Sequence, residues 1–210
     1  GTNPGNYFYG CANLTLSSVS DILDLTGVAN LTSMFNGCTS ITTINKLNDW
    51  DVSSVTNLNS IFQSCSNFNQ PLNNWNTTNI TTMNSVFRLC TLFNQNLGNW
   101  NTGYVSDIGH TFQRATAFNN GGSSSINNWD VSKVLQFRSM FQGAANFNQP
   151  LNNWNTVSAT NMSMFFTQAT IFNQPLNSWN TAFVTDMSQA FQNCTAFNNG
   201  LASGVEGNMF

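Results

Sequence analysis

Large apolar residues recur along the chain with a period of 25 residues, and the tryptophans show this most plainly. Successive tryptophans are separated by 25, 25, 29, 25 and 25 residues. A phenylalanine lies twelve residues after each tryptophan, and this column extends backwards to Phe35 and Phe8. Such fixed spacing predicts internal repeats, here eight of them. The two columns are Trp50, Trp75, Trp100, Trp129, Trp154 and Trp179, and Phe62, Phe87, Phe112, Phe141, Phe166 and Phe191.

A unit of 25 residues is too small to bury its own apolar face, so the repeats are expected to stack around one continuous core. The sequence therefore predicts a repeat solenoid of about eight 25-residue coils, with both aromatic columns favoured as core. Between Val55 and Phe62 the apolar residues are three and four apart, which predicts a short helical turn. The Asn-rich segment containing Pro71 cannot be helical, and we expect one short parallel strand there in each coil.

The regularity of the repeat divides the chain into three parts. Residues 1–45 form divergent coils, in which Leu23 stands where a tryptophan is expected, and we interpret them as a candidate N-terminal cap. Residues 46–201 carry the regular repeats, with a four-residue insertion near 121–125 that is predicted to be a loop. Residues 202–210 form a tail or an incomplete coil. Because the sequence begins at Gly1 and not at methionine, we expect that a leader has been removed or that the sequence is a piece of a longer chain.

The chain has few charged residues, and this limits the kinds of partner that it is expected to bind. The chain has 5 Lys and Arg residues and 8 Asp and Glu residues, so Asn, Thr, Ser and Gln must solvate most of its surface. The cations are scattered along the sequence and form no basic stripe, which argues against a nucleic-acid partner. No apolar stretch approaches the roughly 18 residues that would span a bilayer, so no transmembrane segment is predicted.

All five cysteines fall in one column, three residues after the phenylalanines, where other units carry alanine. This alternation predicts a small buried position, not a disulfide framework. A bridge between neighbours such as Cys65 and Cys90 is geometrically allowed at the spacing of stacked coils, but none is predicted. The small buried column is Cys11, Cys38, Cys65, Cys90 and Cys194.

The sequence has few side chains that could act in catalysis or bind a metal ion. The single histidine, His110, occupies a slot that holds serine in other units and is predicted to be an exposed substitution. Asp49 and Asp51 flank Trp50, but asparagines fill those slots elsewhere, which disfavours an acid and base pair. The sequence therefore predicts no enzyme, no cofactor and no metal. Calcium binding remains an alternative, through four acidic side chains in adjacent coils. These are Asp21, Asp24, Asp49 and Asp51.

A further column consists of asparagines. Each directly follows a second aromatic position of its unit, as Asn69 follows Phe68. Stacked amides would hydrogen-bond to the next coil and satisfy turns. If the column faces outward, it is instead a candidate binding surface for sugars or proteins. The candidate ladder is Asn69, Asn94, Asn119, Asn148, Asn173 and Asn198. Ice binding is a minor alternative, because the threonine column two residues after the tryptophans is interrupted by Val52 and Val131.

The unit from Phe68 to Cys90 resembles a known repeat, and its core Phe-Asn-Gln-Pro-Leu-Asn-Asn-Trp-Asn recurs at residues 147–155. It is similar to the repeat of BspA-like leucine-rich-repeat surface proteins of the mycoplasma lipoprotein type. The resemblance covers about residues 8–201. It implies a leucine-rich-repeat-like solenoid on an exterior surface, with adhesion or partner binding as its role, and no catalytic residues.

Two functions follow from these observations. The first is an extracellular or cell-surface module that binds a protein or glycan ligand. The alternative is a structural subunit or decoration protein of a virion, filament or surface layer, which assembles with copies of itself through the solenoid ends. The second hypothesis places the chain on a virion surface or in a surface assembly.

Overall fold

Backbone hydrogen bonds join each repeat unit to the next in parallel register, in a computed structural model that describes residues 5–201. In the unit of Phe62, every second amide donates to a carbonyl of the following unit, over 2.7 to 3.3 Å. The donors are Leu58, Ser60, Phe62 and Ser64. Parallel bridges mark one position per unit, namely Asn30, Asn57, Thr82, Asp107, Gln136, Asn161 and Asp186, and a separate bridge joins Leu16 to Ile44.

The intervening amides turn back within their own unit. Ile61 donates to the carbonyl of Leu58, and Gln63 donates to that of Ser60, both over 3.1 Å. Ser60 and Ser64 have left-handed backbone, with φ of 56° and 61°, and equivalent residues in the other units do the same. Two left-handed residues four positions apart interrupt a helix, so alternate amides are directed to the neighbouring unit.

The coil therefore differs in detail from the prediction. The parallel contacts lie at 57–64, where a helical turn was expected, and not in the segment of Pro71. Within residues 5–201, the β structure consists of isolated bridges. The helical structure is three short 3-10 helices, Leu47–Asp49, Asn120–Gly122 and Ser124–Asn128.

Columns of stacked aromatic rings run through the core from unit to unit. Successive rings of the phenylalanine column, from Phe8 to Phe191, have centroids 5.5 to 6.0 Å apart. The second column, from Phe68 to Phe197, repeats at 5.9 to 6.0 Å. Such offset stacking adds to the stabilisation from burial. All six tryptophans are buried, while Phe191 in the last described unit is half-buried.

The insertion is ordered as the second and third 3-10 helices rather than as an irregular loop. Its anchor is the fully buried Asn120, whose Oδ1 accepts the amide of Leu97 over 2.8 Å. The Nδ2 of Asn120 donates back to the carbonyl of Ser123. The extra residues therefore close on themselves and leave the stacking on either side unchanged.

The N-terminal units join the same stack but are less complete. Phe8 donates its amide to the carbonyl of Met34 over 2.9 Å, as the regular units do. Val19, Ile22 and Leu23 are exposed, because the segment after Leu16 carries no tryptophan to cover it. The predicted tail at 202–210 lies outside the described residues. No helix in the described part of the chain is long and apolar enough to cross a membrane.

Candidate binding surfaces

In the segment from the bridge position to the second left-handed residue, the side chains that are not buried in the core form a polar face along the stack. Four of its members in three successive units are basic, and we name them the cationic face: Arg88, His110, Arg114 and Arg138. The backbone ladder holds these units in register, which brings side chains that are distant in sequence side by side. Arg114 and Arg138 are exposed, whereas Arg88 and His110 are half-buried.

Amide side chains tie the cationic face together. Arg88, Gln113 and Gln142 occupy the same slot in three successive units. The Nε of Arg88 donates to the Oε1 of Gln113 over 2.6 Å, and the Nε2 of Gln113 donates to the Oε1 of Gln142. The Nδ1 of His110 lies 3.2 Å from the Oε1 of Gln113 and donates to it, because an amide oxygen only accepts. Arg88 is therefore oriented by a neutral group that does not cancel its charge.

The electrostatics of this face favour a neutral histidine beside charged arginines. Burial lowers the pKa of His110, and the neighbouring Arg138 lowers it further. Asp107 also lies nearby, but its carboxylate accepts from the Nδ2 of Asn84 at 3.0 Å and from the amide of Gly109 at 2.8 Å. His110 is thus half-buried and hydrogen-bonded, and the prediction that it is an exposed substitution is wrong.

The cationic face could have been found in the sequence. The cations look scattered when they are counted along the chain, but these four residues lie nine to fourteen positions after the tryptophan of their own unit. Lys46 and Lys133 fall at other offsets. Position within the repeat, not position in the chain, is what determines proximity in stacked units.

The asparagine ladder serves the stacking of the units. The Oδ1 of Asn69 accepts the backbone amide of Asn94 over 2.9 Å, and the same bond recurs at each later step up to Asn198. Several of these oxygens also accept from a glutamine Nε2, as Asn148 does from Gln174 at 3.1 Å. The side-chain oxygens of the ladder are therefore engaged in hydrogen bonds between units, and these are the acceptors that a ligand would need.

The cysteines are free, and four of the five are buried. The Sγ of Cys65 donates to the carbonyl of Phe35 at 3.0 Å, and that of Cys90 donates to the carbonyl of Phe62 at 2.8 Å. Burial raises the pKa of Cys65 to about 12. Cys11 is exposed, so the predicted buried column is wrong at this residue, which no preceding unit covers within the described residues.

The threonine column and the acidic side chains were the candidates for ice binding and for calcium binding, respectively. Three threonines of the column proposed for ice binding, Thr77, Thr102 and Thr156, are buried, and the Oγ1 of Thr77 donates to the carbonyl of Asn101. That array is therefore not a surface. Among the described residues, no group of three or more His, Cys, Asp or Glu side chains could hold a metal ion. Asp24 and Asp51 accept the amides of Thr26 and Ser53, respectively, over 2.9 Å, which fixes these local turns.

The described chain is thus a repeat protein with an aromatic core, a polar outer surface and one basic region. It matches the sequence pattern of a family described as "Mycoplasma protein of unknown function, DUF285", over residues 2–125 and again over 121–206. Because these matches cover nearly the whole chain, the protein belongs to this family. The two matches meet at the insertion. No curated protein and no solved structure matches the chain.

Proposed function

We propose that this protein is a BspA-like, leucine-rich-repeat-type solenoid on the outside of a cell, and that it binds an acidic glycan through the cationic face. The unit-to-unit hydrogen bonds and the continuous aromatic columns support the solenoid, since each unit contacts its neighbours in sequence. Membership of a mycoplasma repeat family agrees with a surface location. This proposal makes the chain an adhesion module and not an enzyme.

The observation that carries the proposal is the concentration of basic side chains on one face of a chain with so little charge. Four of the five Lys and Arg residues, and the only histidine, fall in three consecutive units, and all of these except Lys133 lie on the cationic face. A guanidinium presents a planar fork of donors that matches a carboxylate or sulfate. The Nε2 of Gln142, whose Oε1 accepts from Gln113, adds a donor suited to a sugar hydroxyl. Acidic sugars therefore fit the face better than neutral ones.

The test compares acidic and neutral oligosaccharides by calorimetry with the purified chain. Oligosaccharides that contain uronic or sialic acid should bind, and their carboxyl-reduced analogues should bind much more weakly. Arg88→Gln and Arg138→Gln should each weaken binding by about tenfold, since each removes a charge-assisted hydrogen bond. Affinity should also fall with added salt.

Lys133→Gln is the matched control for these variants. Lys133 carries the same charge, but its Nζ lies 4.2 Å from the ring centroid of Tyr104, at a different offset in the repeat. This variant should bind as the wild type does. An equal loss in all three variants would indicate a general charge effect, and an absence of preference for acidic sugars would contradict the proposal.

Self-assembly through an end of the stack is the second candidate function. Its support is the N-terminal unit, where Tyr7 and Tyr9 are 47% and 62% exposed. Exposed aromatic rings at the end of a stack are suited to contact with another subunit. Light scattering over a range of concentrations should then show growth that is reduced in a Tyr7→Ser, Tyr9→Ser double variant. A monomer at all concentrations would contradict this function.

A further inference from the structure

An apolar cavity of about 220 Å³ lies at the N-terminal end of the stack. Its walls are mostly aliphatic and aromatic, and Asp21 and Asn45 contribute polar groups. The apolar lining residues are Phe8, Leu16, Val19, Leu23, Met34, Phe35, Ile44 and Trp50. The cavity is half-open to solvent, and Val19 and Leu23 of its lining are exposed.

The cavity is formed by the side chains that would hold a tryptophan in a regular unit. The ring of Trp75 lies 6.1 Å from that of Phe62, which precedes it by thirteen residues, and 6.2 Å from that of Trp100 in the next unit. In the first unit the tryptophan slot is Leu23, which is 40% exposed. The neighbours that would contact an indole in that slot are Phe8 and Trp50, and both line the cavity.

Trp50 supplies a second observation. The other five tryptophans each donate Nε1–H to a backbone carbonyl of the preceding unit, over 2.9 to 3.0 Å. Trp50 makes no such bond to any described residue, although it is only 6% exposed. The Nε1–H of Trp50 is accessible to solvent, and so it is free to donate to an acceptor that enters the cavity.

We propose that this cavity binds a small, uncharged planar aromatic molecule with an oxygen acceptor, of the size of a hydroxyindole. Its ring would occupy the slot of the missing tryptophan, beside Phe8 and Trp50. Its oxygen would accept from the Nε1 of Trp50. The volume suffices for such a ring, since an apolar cavity of ~150 Å³ binds benzene. The carboxylate of Asp21 at the rim disfavours anionic ligands.

Calorimetry with 5-hydroxyindole as the probe tests this site in the intact chain. The wild type should bind 5-hydroxyindole, bind indole about threefold to tenfold more weakly because it lacks the oxygen, and bind indole-3-carboxylate least. Leu23→Trp should fill the slot with the protein's own ring and weaken binding at least tenfold. Leu135→Trp, at an exposed position in a distant unit, is the control and should leave binding unchanged.

Trp50→Phe provides a second route that does not depend on the folding of Leu23→Trp. It keeps an aromatic wall and removes the donor, so 5-hydroxyindole should lose its advantage over indole. Failure of the wild type to bind 5-hydroxyindole at millimolar concentration would overturn the proposal. So would full binding by a folded Leu23→Trp variant, or an unchanged preference for 5-hydroxyindole in Trp50→Phe.

Discussion

The indole Nε1 of Trp100 donates a hydrogen bond of 3.0 Å to the backbone carbonyl of Leu72, one repeat unit earlier. The same carbonyl accepts the backbone amide of Trp75 over 3.2 Å. Each tryptophan therefore fastens its own unit to a turn of the preceding one, while its ring fills the core. This explains why tryptophan, and not phenylalanine, occupies the slot in every regular unit, since phenylalanine would supply the ring without the donor.

Replacing Trp100 with phenylalanine should therefore destabilise the protein by about 2 to 4 kcal/mol, from lost volume and a lost buried hydrogen bond. Trp50→Phe removes the same volume at a residue whose Nε1 has no such bond, and should cost about 1 kcal/mol less. Urea unfolding of the two variants measures this difference. Equal losses would show that the hydrogen bond contributes nothing to stability.

Gly98 departs from the repeat because of the insertion. Other units carry asparagine at this slot, as at Asn48 and Asn73, whose side chains hydrogen-bond to each other over 3.3 Å. A Cβ at Gly98 would overlap the side chain of Ser125, which is itself held by the Oδ1 of Asn96 at 2.8 Å. The insertion thus occupies the space that the asparagine side chain would need.

Gly98→Asn restores the repeat pattern but should destabilise the protein by about 2 kcal/mol, as overpacking does. Adding Ser125→Gly should recover most of this loss, because it removes the overlapping atoms. Thermal unfolding of the single and double variants measures the coupling between the two sites. The matched control is Asn73→Gly in a regular unit, which should cost less than about 1 kcal/mol. Additive losses in the double variant would contradict the steric explanation.

The period, the apolar columns and the position of the insertion could be predicted from the sequence. Each buried position recurs once per unit, so the same type of residue recurs there at a fixed spacing. The sequence did not contain the backbone path between the columns. The left-handed residues there include Ser60, Leu89 and Met164, none of which signals a positive φ. The hydrogen bonds to the next unit determine this backbone, and apolar spacing of three and four within the segment resembles a helix. The glycines at one of the two left-handed slots, Gly10, Gly37 and Gly143, were a sign of this backbone in the sequence.

Gly143 tests the importance of that backbone. It has φ of 68°, and an added Cβ would lie 3.3 Å from the Cγ of Arg114, a flexible side chain that can move. Gly143→Ala should therefore cost about 1 to 2 kcal/mol, mainly from the left-handed conformation. Arg114, at the equivalent slot with φ of 57°, offers the reverse change, and Arg114→Gly should relieve strain. Urea midpoints that move in opposite directions would support this, and a stabilised Gly143→Ala variant would contradict it.

Alkaline pH should unfold the protein through its buried thiols. Burial raises the pKa of Cys38 to about 11 and the pKa values of Cys65 and Cys194 to about 12, from 9.0. The unfolded chain releases these protons near pH 9, whereas the folded chain retains them. Their contribution to stability is therefore complete below about pH 9 and declines as the pH rises towards 12.

Urea unfolding between pH 8 and 10.5 measures this decline, and Cys65→Ala should make it shallower. Alanine is tolerated at this position, because Ala115 and Ala144 fill the same slot and are fully buried. Cys11→Ala is the control, because it removes an exposed thiol and should change the decline less than Cys65→Ala does. Thiol labelling at pH 8 provides an independent check, with Cys11 reacting at once and the other four only after unfolding. An equally steep decline in Cys65→Ala, or rapid labelling of all five thiols in the folded protein, would show that these side chains are not sealed within the stack.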